Sequence, residues 1–159
     1  TVDIDPNKSN IDGAYALDAT SEWWNEDFDV LIPCSISGLI TEKISKALRV
    51  HAVIPAANAP FSHPSNINIL WDKNIVVIPD PIVNAGAVIA DSIELFDPDS
   101  WNSSNPNDIY EFVRSCVFDN TSIFLNLKEK GLSVENIIEK IIEMKSSRPI
   151  GLSFSRGIK

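Results

Sequence analysis

Residues 28–56 read FDVLIPCSISGLITEKISKALRVHAVIPA. The two apolar runs of this stretch, 30–32 and 50–54, are rich in valine and isoleucine, and a proline follows each run. Runs of this length and composition predict short strands. Between them, Thr41 precedes Glu42-Lys43-Ile44, which is a typical helix start behind a threonine cap. Two strands joined through a helix by short connections predict a βαβ unit, in which the strands are parallel.

The same alternation continues on both sides of this unit. Apolar runs at 2–4 and 75–78 predict two more strands, and Ser21 and Ser65 stand at the starts of two more helical segments. All four runs are expected to be buried on both faces, as in a parallel sheet that helices cover from both sides. We therefore predict an α/β fold with a doubly wound parallel sheet, in which ligands bind beyond the carboxyl ends of the strands.

Beyond residue 78 the pattern becomes helical. Residues 81–96 have no polar break and predict one largely buried helix, whereas the polar residues 97–105 predict a loop. A long amphipathic helix follows and stops at Lys130-Gly131, and Ser133 caps a last helix with an isoleucine stripe. We assign residues 1–150 to one domain that ends in these helices, and residues 151–159 to a tail without periodicity.

The charge balance and the scarce residue types exclude several classes of protein. Thirteen Lys and Arg against 22 Asp and Glu give a net charge of −9, and such a field repels the phosphates of a nucleic acid. Two cysteines and two histidines, far apart in sequence, form no metal-ligand pattern. Apolar runs of about six residues are too short to span a bilayer, and the chain opens on acidic residues. We expect no metal, nucleic acid or membrane partner, and a reducing, cytoplasmic compartment.

Three segments fall at the predicted carboxyl ends of strands, namely 28–35, 54–60 and 78–87. In each, an apolar strand runs into proline and small residues, which would let a flat ligand approach the backbone closely. Asn58 and Asn84 add amides that can pair with an amide or a hydroxyl group. By composition alone, turn residues that close loops explain the same pattern.

The order and spacing of these three segments resemble the cofactor-binding domain of the glutamate/leucine/phenylalanine/valine dehydrogenases. Asp-Val-Leu-Ile-Pro-Cys comes first, Ala-Asn-Ala-Pro second, and Ile-Pro-Asp with Asn-Ala-Gly third. The resemblance extends over about residues 3–145. It implies a partial Rossmann-like domain that binds a nicotinamide dinucleotide, in an enzyme that oxidatively deaminates an L-amino acid to a 2-oxo acid.

The resemblance also assigns cofactor-binding positions. Pro33, Cys34 and Ser35 would lie along the adenosine and ribose side of the cofactor. Asn58 would lie near the nicotinamide ribose, and Asn84 near the carboxamide.

One acidic position bears on the choice of cofactor. Asp3 matches the residue that accepts from the adenine ribose hydroxyls, with Asp5 as the alternative two residues further on. A carboxylate there disfavours a 2′-phosphate, so we expect NAD rather than NADP. The resemblance assigns no catalytic residue and no metal to this chain.

Asp91 would lie at the substrate side chain. Glutamate-specific members of the family carry a serine there, and branched-chain members carry an apolar residue. A carboxylate would repel a glutamate side chain and would be poorly solvated beside an apolar one. Glutamate and leucine are therefore both disfavoured as substrates.

The chain also departs from the family pattern. In the family a catalytic domain precedes this region, and the first Rossmann strand carries a Gly-x-Gly-x-x-Gly turn, whereas none of the six glycines here has that spacing. We therefore expect the carboxyl-terminal part of an NAD-binding domain, inactive alone, with a catalytic domain as a possible partner chain. The alternative is a non-catalytic Rossmann-like binding or assembly module. The chain begins at what would be the second Rossmann strand. We also expect a homo-oligomer, because without the first, central strand the sheet exposes unpaired edges and apolar surface.

Overall fold

The computed structural model describes residues 1–146 and 150–154. In this part of the chain, five short strands pair in parallel and form two sheets. The strands are β1 (Val2–Asp3), β2 (Leu17–Asp18), β3 (Val30–Leu31), β4 (Ala52–Val53) and β5 (Val76–Val77). The four predicted strands are confirmed, although each is shorter than its apolar run. The α/β class is likewise confirmed.

The chain divides into two compact units, which are described separately. The first unit comprises Thr1–Val53 and Ala59–Val77, and the second comprises Ile54–Asn58 and the chain from Ile78 onward. All five strands belong to the first unit, with α1 (Pro6–Ser9), α2 (Glu42–Ala47) and α3 (Ser65–Asp72). The second unit contains α4 (Asp80–Val83), α5 (Gly86–Phe96), α6 (Pro98–Ser103), α7 (Pro106–Glu129) and α8 (Val134–Lys145).

Local signals define α2 at both of its ends. The Thr41 hydroxyl accepts from the backbone N–H of Ile44 at 3.3 Å, as the sequence predicts for a helix cap. At the other end, the Lys73 ammonium donates to the carbonyls of Lys46 and Leu48 at 2.8 and 2.5 Å. A cation that satisfies the last carbonyls of a helix stabilises its C-terminus. Burial lowers the pKa of Lys73, and the nearby Arg49 adds to this effect.

The three-stranded sheet is buried on one face. The register aligns Val30, Ala52 and Val76 on one face and places Leu31, Val53 and Val77 on the other. Val53 and Val77 are buried, whereas Val30 and Val76 are each 44% exposed, and Ile32 beyond β3 is 57% exposed. The prediction that these runs are buried on both faces is wrong, because the side chains on one face of this sheet are partly exposed.

The second unit is helical, and its carboxyl-terminal end is packed. Ile93, Ile109 and Phe154 form a buried cluster, and the Phe112 ring packs edge-on against Phe154 at 5.3 Å. A 3-10 turn at Ile150–Ser153 packs on α5. This turn lies largely within the segment 151–159 that the sequence assigns to a tail without periodicity, and a single packed turn leaves no periodic pattern in a sequence. Residues 155–159 lie outside the described residues.

Two predictions of secondary structure in this unit, one of a helix and one of a loop, are wrong. The helix expected over 81–96 is divided into α4 and α5 at Asn84 and Ala85, and the exposed Val88 and Leu95 show that α5 is not largely buried. The loop expected over 97–105 contains α6, which Asp97 caps by accepting from the N–H of Ser100. No helix in the described part of the chain is long and apolar enough to cross a membrane.

Candidate functional site

The carboxyl ends of β1 and β2 open into a cavity of about 530 Å³ in the first unit. Asp3 is half-buried in its wall, and its Oδ1 accepts from the backbone N–H of Asp5 at 2.9 Å. Asp5 in turn caps α1 by accepting from the N–H of Asn7 at 3.0 Å. The Asp3 carboxylate is thus oriented at the end of a strand, where a hydroxyl group of a ligand can reach it.

The same cavity contains polar residues that the sequence did not single out. Asp18 is the last residue of β2 and Thr20 follows the strand, and both line the cavity with Asp3. Asp18 Oδ1 accepts from both the N–H and the hydroxyl of Thr20, each at 2.8 Å. The available signal was the Asp-x-Thr pattern of a local turn, but the two-residue strand before it was too short to be recognised. The hydrogen bonds from Thr20 lower the pKa of Asp18.

The segment after β3 also belongs to the first unit. Pro33 is buried, whereas Cys34 and Ser35 are exposed. The Cys34 thiol donates to the carbonyl of Ile32 at 3.3 Å, which holds the sulfur against its own turn. The other cysteine, Cys116, is half-buried on α7, and burial raises the pKa of its thiol. The environment of Cys116 is not that of an activated thiolate.

The second unit brings Asn58 and Asn84 together. The Asn84 Nδ2 donates to the Asn58 Oδ1 at 2.8 Å, although 26 residues separate them. Asn84 ends α4, its backbone N–H donating to the carbonyl of Asp80, and the chain then turns into α5 at Gly86. The break between the two helices therefore positions the Asn84 side chain beside the loop that carries Asn58.

Asp91 lies on α5, seven residues after Asn84, and its side chain is exposed. Val88 and Leu95 are also exposed, and their spacing of three and four residues from Asp91 places all three on one face of the helix. Across residues 1–146 and 150–154, no group of three or more His, Cys, Asp or Glu side chains is arranged to hold a metal ion.

The family model described as Glutamate/Leucine/Phenylalanine/Valine dehydrogenase matches residues 4–145. The chain belongs to this family. The match covers most of both compact units, and it confirms the resemblance that the three segments carry in the sequence.

Individual dehydrogenases of the family are similar at moderate identity. The phenylalanine dehydrogenase of Caldalkalibacillus thermarum is 32% identical over 115 residues, which are 72% of this chain and 30% of that protein. The valine dehydrogenase of Streptomyces virginiae is 32% identical over 125 residues, or 77% of this chain and 32% of that protein. The NAD-specific glutamate dehydrogenase of Clostridioides difficile is 31% identical over 88 residues, or 55% of this chain and 20% of that protein. The chain thus spans about a third or less of the length of these curated relatives.

A solved structure shows the same fold. The L-tryptophan dehydrogenase of Nostoc punctiforme matches with a TM-score of 0.75 over 98% of this chain and 45% of that one, at 22% identity. At this identity the likeness is evidence for the dehydrogenase fold alone.

Proposed function

We propose that this chain is the NAD-binding part of an amino-acid dehydrogenase that oxidatively deaminates an L-amino acid to a 2-oxo acid. NAD would accept a hydride from the substrate, and the protein would bind and orient the cofactor. The substrate-binding and acid–base groups would come from a catalytic domain, in the same protein or in a partner chain. Asp91 would then disfavour both glutamate and leucine as substrates.

The contact between Asn58 and Asn84 carries this proposal. The family resemblance assigns both residues to the nicotinamide half of the cofactor, and their side chains meet at 2.8 Å within one compact unit. Each amide offers two donor hydrogens and an acceptor oxygen. A pair of amides suits a carboxamide, which has the same donor and acceptor groups, and the adjoining ribose hydroxyls.

The resemblance assigns the adenosine half to Asp3 and to Pro33, Cys34 and Ser35. Asp3 lines the cavity at the end of β1, and a carboxylate there can accept from ribose hydroxyls. Asp5 is not among the residues that line this cavity, which supports Asp3 as the ribose acceptor. The exposed Cys34 and Ser35, after the end of β3, are accessible to the adenosine side of the ligand.

Calorimetric titration of the 159-residue chain with NAD tests the proposal. We expect saturable binding with Kd below about 1 mM, and Asn84→Ala should weaken it by about tenfold because a ligand-facing amide is lost. Asn126→Ala is the matched control, since Asn126 is an exposed asparagine on α7 that likewise makes one side-chain hydrogen bond. It should leave the affinity unchanged.

The opposite result identifies the alternative function. No heat at millimolar NAD, with the chain folded by circular dichroism, would contradict the proposal and favour a non-catalytic binding or assembly module. Equal weakening by the Asn84 and Asn126 variants would place the bound NAD elsewhere.

A further inference from the structure

Asp12 and Gly13 are the two central residues of a turn between β1 and β2. The Ala14 N–H donates to the carbonyl of Ile11 at 3.0 Å, and Gly13 has a φ of 75°. A positive φ at the third of four residues, and not at the second, is that of a type II turn, which favours glycine there. Residues 10–16 are all exposed, so that water reaches the whole turn.

The sequence makes this turn chemically distinct from the other turns of the chain. Gly13 is the only one of the six glycines that follows an aspartate, and none follows an asparagine. The backbone nitrogen of Gly13 and the Cγ of Asp12 belong to adjacent residues, so that a bond between them closes a succinimide ring. Glycine has no Cβ beside the attacking nitrogen and has the widest backbone freedom.

The structure leaves both reacting groups accessible. Within the described residues, the Gly13 N–H donates no hydrogen bond and the Asp12 carboxylate accepts none. A Cβ built at Gly13 would meet nothing within 4 Å, so that the space around this part of the backbone is open.

The ring closes only after the turn moves. In a type II turn the ψ of the second residue is about 120°, which keeps the Gly13 nitrogen turned away from the Asp12 side chain. The one described hydrogen bond across the turn, from Ala14 to Ile11, must break before the peptide unit can rotate. Exposed turns with so few bonds open far more readily than the folded core.

We propose that Asp12 is a site of spontaneous isoaspartate formation. The Gly13 nitrogen bonds to Cγ of the neutral Asp12 carboxyl group, whose hydroxyl leaves as water with the amide proton. A second water then adds to the main-chain carbonyl carbon of Asp12 and breaks its bond to the Gly13 nitrogen, so that the chain continues through Cγ. Addition of that water at Cγ restores aspartate instead. The two steps need no reactant besides water.

The modification would change the connection between the two paired strands. The product keeps the negative charge of Asp12 but adds one atom to the main chain. Ser9 before the turn and Ala16 after it line the cavity at β1 and β2, so that the added atom lies in a segment that forms part of its wall. The inference does not rest on the proposed function, because ring closure involves only the turn and water.

Peptide mapping after prolonged incubation at neutral pH and physiological temperature tests the proposal. Electron-transfer fragmentation in a mass spectrometer distinguishes isoaspartate from aspartate, although the two have the same mass. We expect isoaspartate to accumulate at Asp12. Gly13→Ala should slow its accumulation at least about tenfold, equivalent to about 1.4 kcal/mol in the barrier, because the added Cβ hinders the attack and restricts the rotation.

Asp12→Glu is the matched control, because it keeps the charge and Gly13 but would have to close a larger ring. It should form no isomer at this position. Two aspartates of the native chain serve as internal controls. Asp91 and Asp99 each precede a serine, which is also small, but they lie within α5 and α6, where helix hydrogen bonds fix the backbone. We expect no isoaspartate at either.

Two results would overturn the proposal. The first is native chain that stays unmodified at Asp12 while a synthetic peptide of residues 9–16 is converted under the same conditions, because the folded turn would then protect the site. The second is accumulation at Asp91 or Asp99 equal to that at Asp12, because the reaction would then not depend on this turn. Neither result depends on whether the chain binds NAD.

Discussion

Gly151 is a single residue on which the packing of the second unit depends. Its N–H donates to the hydroxyl of Ser92 at 2.9 Å, and a Cβ at this position would clash with the backbone carbonyl of the same serine. Such a clash with backbone cannot be relieved by a rotamer change. We expect Gly151→Ala to lower the free energy of unfolding by about 2 kcal/mol or more, measured by urea denaturation.

Gly86→Ala is the matched control for this prediction. A Cβ at Gly86 would meet Val113 at 3.5 Å, an ordinary van der Waals distance, and alanine is the better helix former. The Gly86→Ala chain should be at least as stable as the native chain. If Gly151→Ala and the native chain have the same urea midpoint, the 3-10 turn does not pack against α5 in solution.

Residue types and their order in the sequence predicted several residues of the candidate site. They did not predict which of these side chains are in contact. Asn58 and Asn84 were singled out because amides follow two strands at family spacing, and the structure brings them into contact. Asp18 was missed because its partner Asp3 is 15 residues away, and only the strand register reveals their proximity. A single sequence does not contain that register.

Among the secondary-structure elements, the 3-10 turn at Trp23–Asn25 contacts α2 through the side chain of Lys43. The Lys43 ammonium lies 2.5 Å from the carboxylate of Glu22 and 5.1 Å from the centre of the Trp24 ring. The ion pair lowers the pKa of Glu22 below its usual value. Because the folded pKa is depressed, this stabilisation is present above the unfolded pKa and is lost as the pH falls through the folded pKa.

This sign gives a pH-dependent prediction. When the pH falls from about 5 to about 3, the Glu22→Gln chain should lose less thermal stability than the native chain does. The variant has no carboxylate to protonate at this position. Glu26→Gln is the control, since Glu26 forms none of the described ion pairs. Equal pH profiles for the native and Glu22→Gln chains would show that the ion pair does not form in solution. High salt should diminish the effect, because both side chains are exposed.

The elements that the sequence predicted are those with the longest patterns. α7 and α8 show their helical periodicity over several turns, and the valine-rich runs before the prolines mark β3, β4 and β5. β2 was missed because two residues carry no alternation, and the break between α4 and α5 was missed because Asn84 ends a helix without interrupting the apolar pattern. α6 looked like a loop because the residues that favour turns, such as Asp97 and Pro98, also start helices.

For the whole molecule, the open face of the three-stranded sheet bears on association with another chain. Val30, Ala52 and Val76 align on this face, and β3 and β5 are the outer strands of their sheet. Exposed apolar residues beside unpaired strand edges favour association with another chain. The net charge of −9 opposes association, but salt at physiological strength screens it beyond about 8 Å. Contact between apolar faces acts at shorter range and should prevail.

We therefore expect the 159-residue chain to self-associate at about 100 µM and to dissociate on dilution, measured by light scattering coupled to size exclusion. Val76→Lys should shift the equilibrium towards monomer, because a charge in the middle of the shared face would have to be desolvated. Val88→Lys is the control, since it places the same lysine at an exposed valine of α5. A native chain that stays monomeric at this concentration would show that the open face does not drive association. Equal dissociation by both variants would mean that added charge, rather than this face, controls it.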